Sequence, residues 1–69
     1  TRKHITSIIE SIQQAADSGD DESAHGLEDK LRLDFLQAVA NRIYPPDVVA
    51  PLAAYVLTTS NIQFARWCA

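Results

Sequence analysis

The sequence predicts an all-α domain: a small bundle of about four helices, two long and two short, with a central helix at about 20–43. Apolar residues recur every three or four positions through two long segments, which is the spacing of a helix face. No segment of any length alternates as a strand does. A chain of 69 residues, 46% hydrophobic, is about the size of one small domain, so we treat 1–69 as a single unit.

The first long helix is predicted from a single apolar stripe. Thr1 can cap its start and Gly19 can end it. The stripe consists of Ile5, Ile8, Ile9, Ile12, Ala15 and Ala16. Nothing on this helix has the pattern of a catalytic residue, so we assign it to the core.

The second helix is expected to start with a capping box formed by Ser18 and Asp21. One broad face carries Ala24, Leu27, Leu31, Phe35, Ala38 and Val39, and further apolar residues, Leu33, Leu36, Ala40 and Ile43, extend beyond it. A helix that is apolar over more than half of its circumference is buried on two sides. We therefore expect it to be the central helix or half of an interface.

Pro45 and Pro46 end the second helix, because the residue before a proline avoids the helical region. A third helix follows, with Pro51 in its first turn, or with 46–50 as a tight turn before a helix at 50–59. Ser60 and Gln63 have the spacing of a capping box for a short fourth helix. Its side chains would be Ile62, Phe64, Ala65 and Trp67.

Charge is distributed unevenly along the chain. The net charge is −3, yet residues 17–29 hold six of the nine acids and no Lys or Arg. The six basic residues are dispersed, whereas a nucleic-acid-binding protein needs clustered positive charge. We expect no direct contact with nucleic acid, and no apolar run is long enough to span a membrane. The single cysteine, Cys68, is typical of a reducing compartment, so we expect a cytoplasmic protein.

The acidic segment does not fit a metal site. Counted from Asp17 as a calcium loop, it has Gly19 where a side-chain oxygen is needed and Glu22 where the turn needs glycine. Asp21, His25 and Glu28, or Glu22, His25 and Asp29, would share an arc of a helix, but a di-iron site needs a second such motif. We expect no metal and no other cofactor.

Residues for catalysis are also few. The serines lack a glycine-rich elbow, and no phosphate-binding loop or dinucleotide fingerprint is present. We therefore expect no catalytic residues and no enzyme activity.

The sequence instead favours binding to another protein. A predicted acidic edge would meet a basic partner, and Arg66 and Trp67 are residue types enriched at interface hot spots, although Phe64 and Trp67 could equally close the core. The two-sided second helix also predicts a homodimer. The predicted partner-binding residues are Asp20, Asp21, Glu22, Glu28, Asp29, Arg66 and Trp67.

Two stretches carry a resemblance to a known group of sequences. "DESAHGLEDKLRLDFLQAVA" and "NIQFARWCA" resemble short reading frames of bacteriophage and bacterial genomes, which share a central "AH-LED-L" and a terminal "FxRWCA" and have no assigned activity. The matching positions are Ala24, His25, Leu27, Glu28, Asp29, Phe64, Arg66, Trp67 and Cys68. The resemblance implies a small, helical, cytoplasmic product of phage or prophage origin.

From these expectations we predict a small phage-type accessory or inhibitory protein that binds another protein through its acidic edge, for example in anti-defence. The alternative is a structural or regulatory subunit of a larger assembly.

Overall fold

A computed structural model describes residues 2–66, and these are all helix, turn or irregular chain, with no strand. Helix α1 spans Arg2–Asp17, α2 spans Asp21–Ala40 and α3 spans Pro46–Leu57, followed by a 3-10 turn at Thr58–Asn61. The all-α class is confirmed. The described part of the chain is elongated, with principal extents of 37 × 19 × 16 Å.

Helix α1 ends in a Schellman motif. The N–H of Asp20 donates to the carbonyl of Ala15 (2.8 Å), and that of Gly19 donates to Ala16 (3.1 Å). Gly19 has φ +78°, a conformation that glycine adopts without steric cost. The chain therefore reverses within three residues, and α2 packs along α1.

The cap of α2 differs from the predicted one. The Asp20 carboxylate accepts from the N–H of Ser23 (3.2 Å), whereas the Ser18 hydroxyl donates back to the carbonyl of Ala15 (3.0 Å). Ser18 belongs to the end of α1, because the Schellman turn places Asp20 at the start of the next helix. Thr1, the predicted cap of α1, lies outside the described residues.

Helix α2 ends three residues earlier than predicted, with a second Schellman pattern. The N–H of Ile43 donates to Ala38 (3.0 Å), and that of Arg42 donates to Val39 (3.0 Å). Arg42 has φ +57°, the left-handed conformation that glycine usually supplies at this position. The double proline that follows permits no further helical turn.

The last two elements also differ from the prediction. Helix α3 begins with Pro46 as its first residue, and Pro51 is its sixth, so Pro51 lies beyond the first turn where it was predicted. Neither a tight turn at 46–50 nor a helix starting at residue 50 is present. The predicted fourth helix is absent over residues 62–66, where Ile62 is extended (φ −80°, ψ 127°). The described residues therefore form three α-helices, not four.

The core lies between the three helices and the segment after the 3-10 turn. Its most buried apolar side chains are Ile5, Ile12, Ala24, Leu31, Phe35, Leu52, Val56 and Ile62. At the edges of the core, the Phe35 and Tyr44 rings stack at 5.8 Å, and the Thr6 and Tyr55 hydroxyls hydrogen-bond at 2.6 Å. No helix within residues 2–66 has the length and apolar character needed to cross a membrane.

Candidate functional site

The acids predicted to form one edge occupy two different environments. Asp20, Glu22 and Asp29 are exposed and Asp21 is half-buried, whereas Glu28 is 1% exposed. Glu28 lies on the core side of α2, one turn from Ala24 and Leu31, and it is not part of a solvated surface. The prediction that Glu28 contributes to an exposed edge is therefore wrong.

The remaining surface acids have few partners. Asp29 Oδ2 lies 3.4 Å from His25 Nδ1, one turn away on the same helix. No Lys or Arg side chain of residues 2–66 lies within ion-pairing distance of Asp20, Asp21 or Glu22. Asp21 and Glu22 occupy the first turn of α2, where the helix dipole favours negative charge.

Arg66 holds the buried Glu28 carboxylate in a two-pronged ion pair. Arg66 Nε donates to Oε1 (2.9 Å) and Nη2 donates to Oε2 (3.0 Å), which is the fork geometry that guanidinium offers to a carboxylate. Nη2 also donates to the carbonyls of Thr59 (2.9 Å) and Ile62 (3.1 Å). These bonds tie the last described residue to both α2 and the 3-10 turn.

A second arginine, Arg32, forms a cluster with Glu28 and Arg66. Arg32 Nη2 lies 3.4 Å from Glu28 Oε2 and donates to the hydroxyls of Thr59 (3.2 Å) and Ser60 (3.0 Å). Arg32 Nε is buried and has no hydrogen-bond partner among residues 2–66. The guanidinium of Arg66 also lies over the Phe64 ring, 3.9 Å from its centroid.

The cluster stabilises the ionised form of Glu28. Burial raises the pKa of this carboxyl, but hydrogen bonds from Arg66 and Thr59 and the charges of Arg32 and Arg66 outweigh burial, so the pKa lies below its ordinary value of 4.5. The hydrogen bond with Glu28 raises the pKa of Arg66. A carboxylate held ionised by two arginines is a poor general acid or base, and this cluster has the chemistry of a structural clamp.

Arg66, one of the predicted partner-binding residues, is therefore paired with Glu28 within the chain, and a third of its side chain (35%) remains exposed. Trp67, the other predicted hot-spot residue, lies outside the described residues. Phe64 is half-buried against the core. Of the predicted binding residues, the structure leaves Asp20, Asp21, Glu22 and Asp29 on the surface.

Sequence reasoning missed the Glu28–Arg66 pair, although a signal that Glu28 is buried was present. Glu28 falls within the broad apolar face of α2, where a solvated acid is out of place. A charge on such a face indicates a buried partner. Arg66 belongs to the other stretch on which the phage-type resemblance rests, so the pair joins its "LED" and "FxRWCA" portions.

A second surface feature consists of exposed aliphatic side chains on α2, on α3 and in the turn between them. Four large aliphatic side chains are more than half exposed: Leu33 (55%), Leu36 (63%), Ile43 (63%) and Leu57 (60%). Beside them, a shallow apolar groove between α2 and α3 is lined by Arg32, Phe35, Leu36, Ala53, Val56 and Leu57. Leu36 and Leu57 share this groove, and exposed aliphatic residues around an apolar groove are typical of a protein–protein contact surface.

Metal binding receives no geometric support from the described residues. Within residues 2–66, no three His, Cys, Asp or Glu side chains are grouped closely enough to hold a metal ion. Both sets of possible metal ligands considered from the sequence include His25. Glu28, which belongs to the first set, is paired with Arg66 instead.

Comparison of the chain with protein-family models, with curated proteins and with solved structures found no match.

Proposed function

We propose that this protein is a small, phage-type accessory or inhibitory protein that acts in the cytoplasm by binding another protein, without catalysis. The observation that carries the proposal is the set of exposed or half-exposed acids at the start of α2, Asp20, Asp21 and Glu22, which have no Lys or Arg partner among residues 2–66. The resemblance to phage reading frames supports the phage-type assignment. An anti-defence protein that occupies a basic site on a host complex is one example of this class.

The physical basis of binding is charge complementarity. Asp20 is partly committed as the α2 cap, and Asp21 and Glu22 follow it directly. A basic partner would relieve the repulsion between these carboxylates and would be steered towards them during diffusion. Such steering acts mainly on the association rate and weakens as salt screens the charges.

Homodimerisation is the second part of the proposal. Leu33 and Leu36 lie on the face of α2 turned away from the core, and both are more than half exposed. A chain of 69 residues builds only a small core, so burial of this face in a dimer would add stability that the monomer lacks.

A structural or regulatory subunit of a larger assembly is the second candidate. The apolar groove between α2 and α3 favours it, because a permanent partner would cover Leu36 and Leu57. In that case binding should survive high salt, since apolar burial is not screened.

A charge-matched pair of variants tests the proposal. Asp21→Asn/Glu22→Gln removes two surface acids and leaves the Asp20 cap in place, whereas Glu10→Gln/Asp34→Asn removes the same charge elsewhere. Each of the three proteins is used to capture binding partners from a host lysate. We purify those partners that the wild type and the control capture but the Asp21/Glu22 variant does not. Their association rates are then measured in about 50 mM and about 300 mM salt.

We expect the Asp21/Glu22 variant to associate several-fold more slowly at low salt, with the difference disappearing at high salt. Capture that is equal for all three proteins, or rates that do not depend on salt, would reject the acidic surface as the binding site. Circular dichroism of each variant checks that the fold is intact.

A further inference from the structure

The exposed face of α2 has the repeat of a two-helix seam. At about 100° per residue, Leu33, Leu36 and Ala40 fall on the side of α2 opposite Leu31. Leu31 is 2% exposed in the core, whereas Leu33 and Leu36 are more than half exposed. Gly26, Asp29, Leu33, Leu36 and Ala40 alternate in steps of three and four residues, and all of them are exposed.

We propose that this seam pairs with the seam of a second copy of the chain, antiparallel, with the two-fold axis between Leu33 and Leu36. The inference rests on the proposed homodimer and adds its interface, direction and register. Leu33 of each copy then lies against Leu36 of the other. Asp29 lies opposite Ala40, and Gly26 lies near the end of the second copy's α2.

Charge selects the antiparallel direction. In a parallel pair, Asp29 would face Asp29, and Glu22, which continues the seam by one heptad, would face Glu22. In the antiparallel pair, the acidic half of one seam lies beside the Arg42 end of the other. Asp29 and the second copy's Arg42 would be at nearly the same height along the axis, because they lie at similar distances on either side of the Leu33–Leu36 centre.

Charge also selects the register. A shift of one heptad in one direction places Asp29 against Leu33 of the second copy, so a carboxylate loses water without a partner. A shift in the other direction leaves Leu36 opposite Ala40 and places Asp29 past the end of the second copy's α2, which ends at Ala40. Only the register centred between Leu33 and Leu36 pairs the two leucines and brings Asp29 to a base.

Two local features of the chain become explicable in this dimer. Arg42 is exposed, has no ion pair with the acids of residues 2–66 and adopts φ +57°, although glycine would be more favourable there. Gly26 lies inside α2, where alanine would be favoured, yet a Cβ at this position would meet no atom within 4 Å. Packing within one copy therefore does not require glycine, whereas close approach of the second copy would.

Sedimentation equilibrium of the purified chain tests whether this dimer forms. We expect a dimer at concentrations on the order of 100 μM, because a two-helix contact is at the small end of interface sizes. Leu33→Glu and Leu36→Glu should each give a folded monomer, since both side chains are already more than half exposed. Ala54→Glu, an exposed position on α3, should leave the dimer unchanged. A monomeric wild type overturns the proposal.

Cysteine cross-linking tests direction and register in a Cys68→Ser background. Asp29→Cys/Ala40→Cys should form a covalent dimer under mild oxidation, and Asp29→Cys alone should not. Residues 29 and 40 of one helix are about 16 Å apart, so a bond within one copy is impossible. Cross-linking by Asp29→Cys alone would show a parallel pair and overturn the proposal, as would the absence of cross-linking in the double variant.

A charge swap provides an independent check. Asp29→Arg should weaken the dimer about fivefold, and Asp29→Arg/Arg42→Asp should restore it, because aspartate tolerates the left-handed conformation. Equal dimerisation of all three proteins would reject the Asp29–Arg42 contact. These assays contain the chain alone, so their failure leaves binding of a basic partner through Asp21 and Glu22 untouched. Failure of the partner assay likewise leaves the dimer untouched.

Discussion

Arg66 and Glu28, separated by 38 positions in the chain, form a two-pronged ion pair with distances of 2.9 and 3.0 Å. The pair fastens the segment after the 3-10 turn to the middle of α2. Because Glu28 is 1% exposed, removal of Arg66 would leave a buried carboxylate whose remaining charged partner among residues 2–66 is Arg32, at 3.4 Å.

We therefore expect Arg66→Gln to lower the free energy of unfolding by about 2 kcal/mol, reduced from the cost of a fully buried pair because Arg66 is partly exposed. Arg66→Lys keeps the charge but loses the two-pronged geometry, so its free energy of unfolding should lie between those of the wild type and Arg66→Gln. Chemical denaturation measures each value. A double-mutant cycle with Glu28→Gln should give a clear coupling energy, and additive effects would contradict direct pairing.

Acid should weaken the protein through Glu28. The folded-state pKa of this carboxyl lies below its ordinary value of 4.5, so its stabilising contribution is fully present above that value and is lost as the pH falls through the folded-state pKa. Between about pH 7 and about pH 3, the free energy of unfolding should fall further in the wild type than in Glu28→Gln. Parallel pH profiles for the two proteins would count against this assignment.

The helix caps distinguish the observed α2 start from the predicted one. Asp20→Ala should cost about 1 kcal/mol, because the N–H of Ser23 loses its acceptor. Ser18→Ala should cost less, since the Ser18 hydroxyl only donates back to the carbonyl of Ala15. Thermal denaturation of the two variants, measured in parallel, compares their stabilities. A larger loss of stability in Ser18→Ala than in Asp20→Ala would favour the cap expected from the sequence.

Core and surface aliphatics should respond very differently to truncation. Ile12 is fully buried, so Ile12→Ala should destabilise the protein by about 2–4 kcal/mol. Leu36 is 63% exposed, and Leu36→Ala should change the stability of dilute protein by less than about 0.5 kcal/mol. Urea denaturation at low protein concentration keeps the monomer as the reference state. A large loss for Leu36→Ala under these conditions would place Leu36 in the monomer core.

Calcium and zinc should not raise the melting temperature. A ligand that binds only the folded state stabilises it by RT ln(1 + [L]/Kd), so a site of useful affinity would show a clear upward shift at about millimolar metal. His25 and the nearby acids are the groups tested, because Glu28 is occupied by Arg66. A shift that disappears in His25→Ala would establish a site that the described side chains do not indicate.

Local sequence patterns predicted the helical class and most of the core-facing residues of α1 and α2. Ile5 and Ile12 of α1 and Leu31 and Phe35 of α2 were expected in the core, and they are buried there. This information is local, because residues three and four positions apart share a helix face whatever the helix packs against. The breaks at Gly19 and Pro45 are local for the same reason, since each depends on the backbone conformations open to one or two residues.

The pairing of Glu28 and the conformation of residues 62–66 depend on contacts between distant parts of the chain. Local spacing predicted a helix after Ser60, but Arg66 instead donates to the carbonyls of Thr59 and Ile62 while it pairs with Glu28. These bonds give the carbonyls partners without a helical turn, and the contact spans 38 residues, so no short-range pattern encodes it. Glu28 was predicted to be a surface acid but is buried, because burial depends on which distant segment covers a helix face.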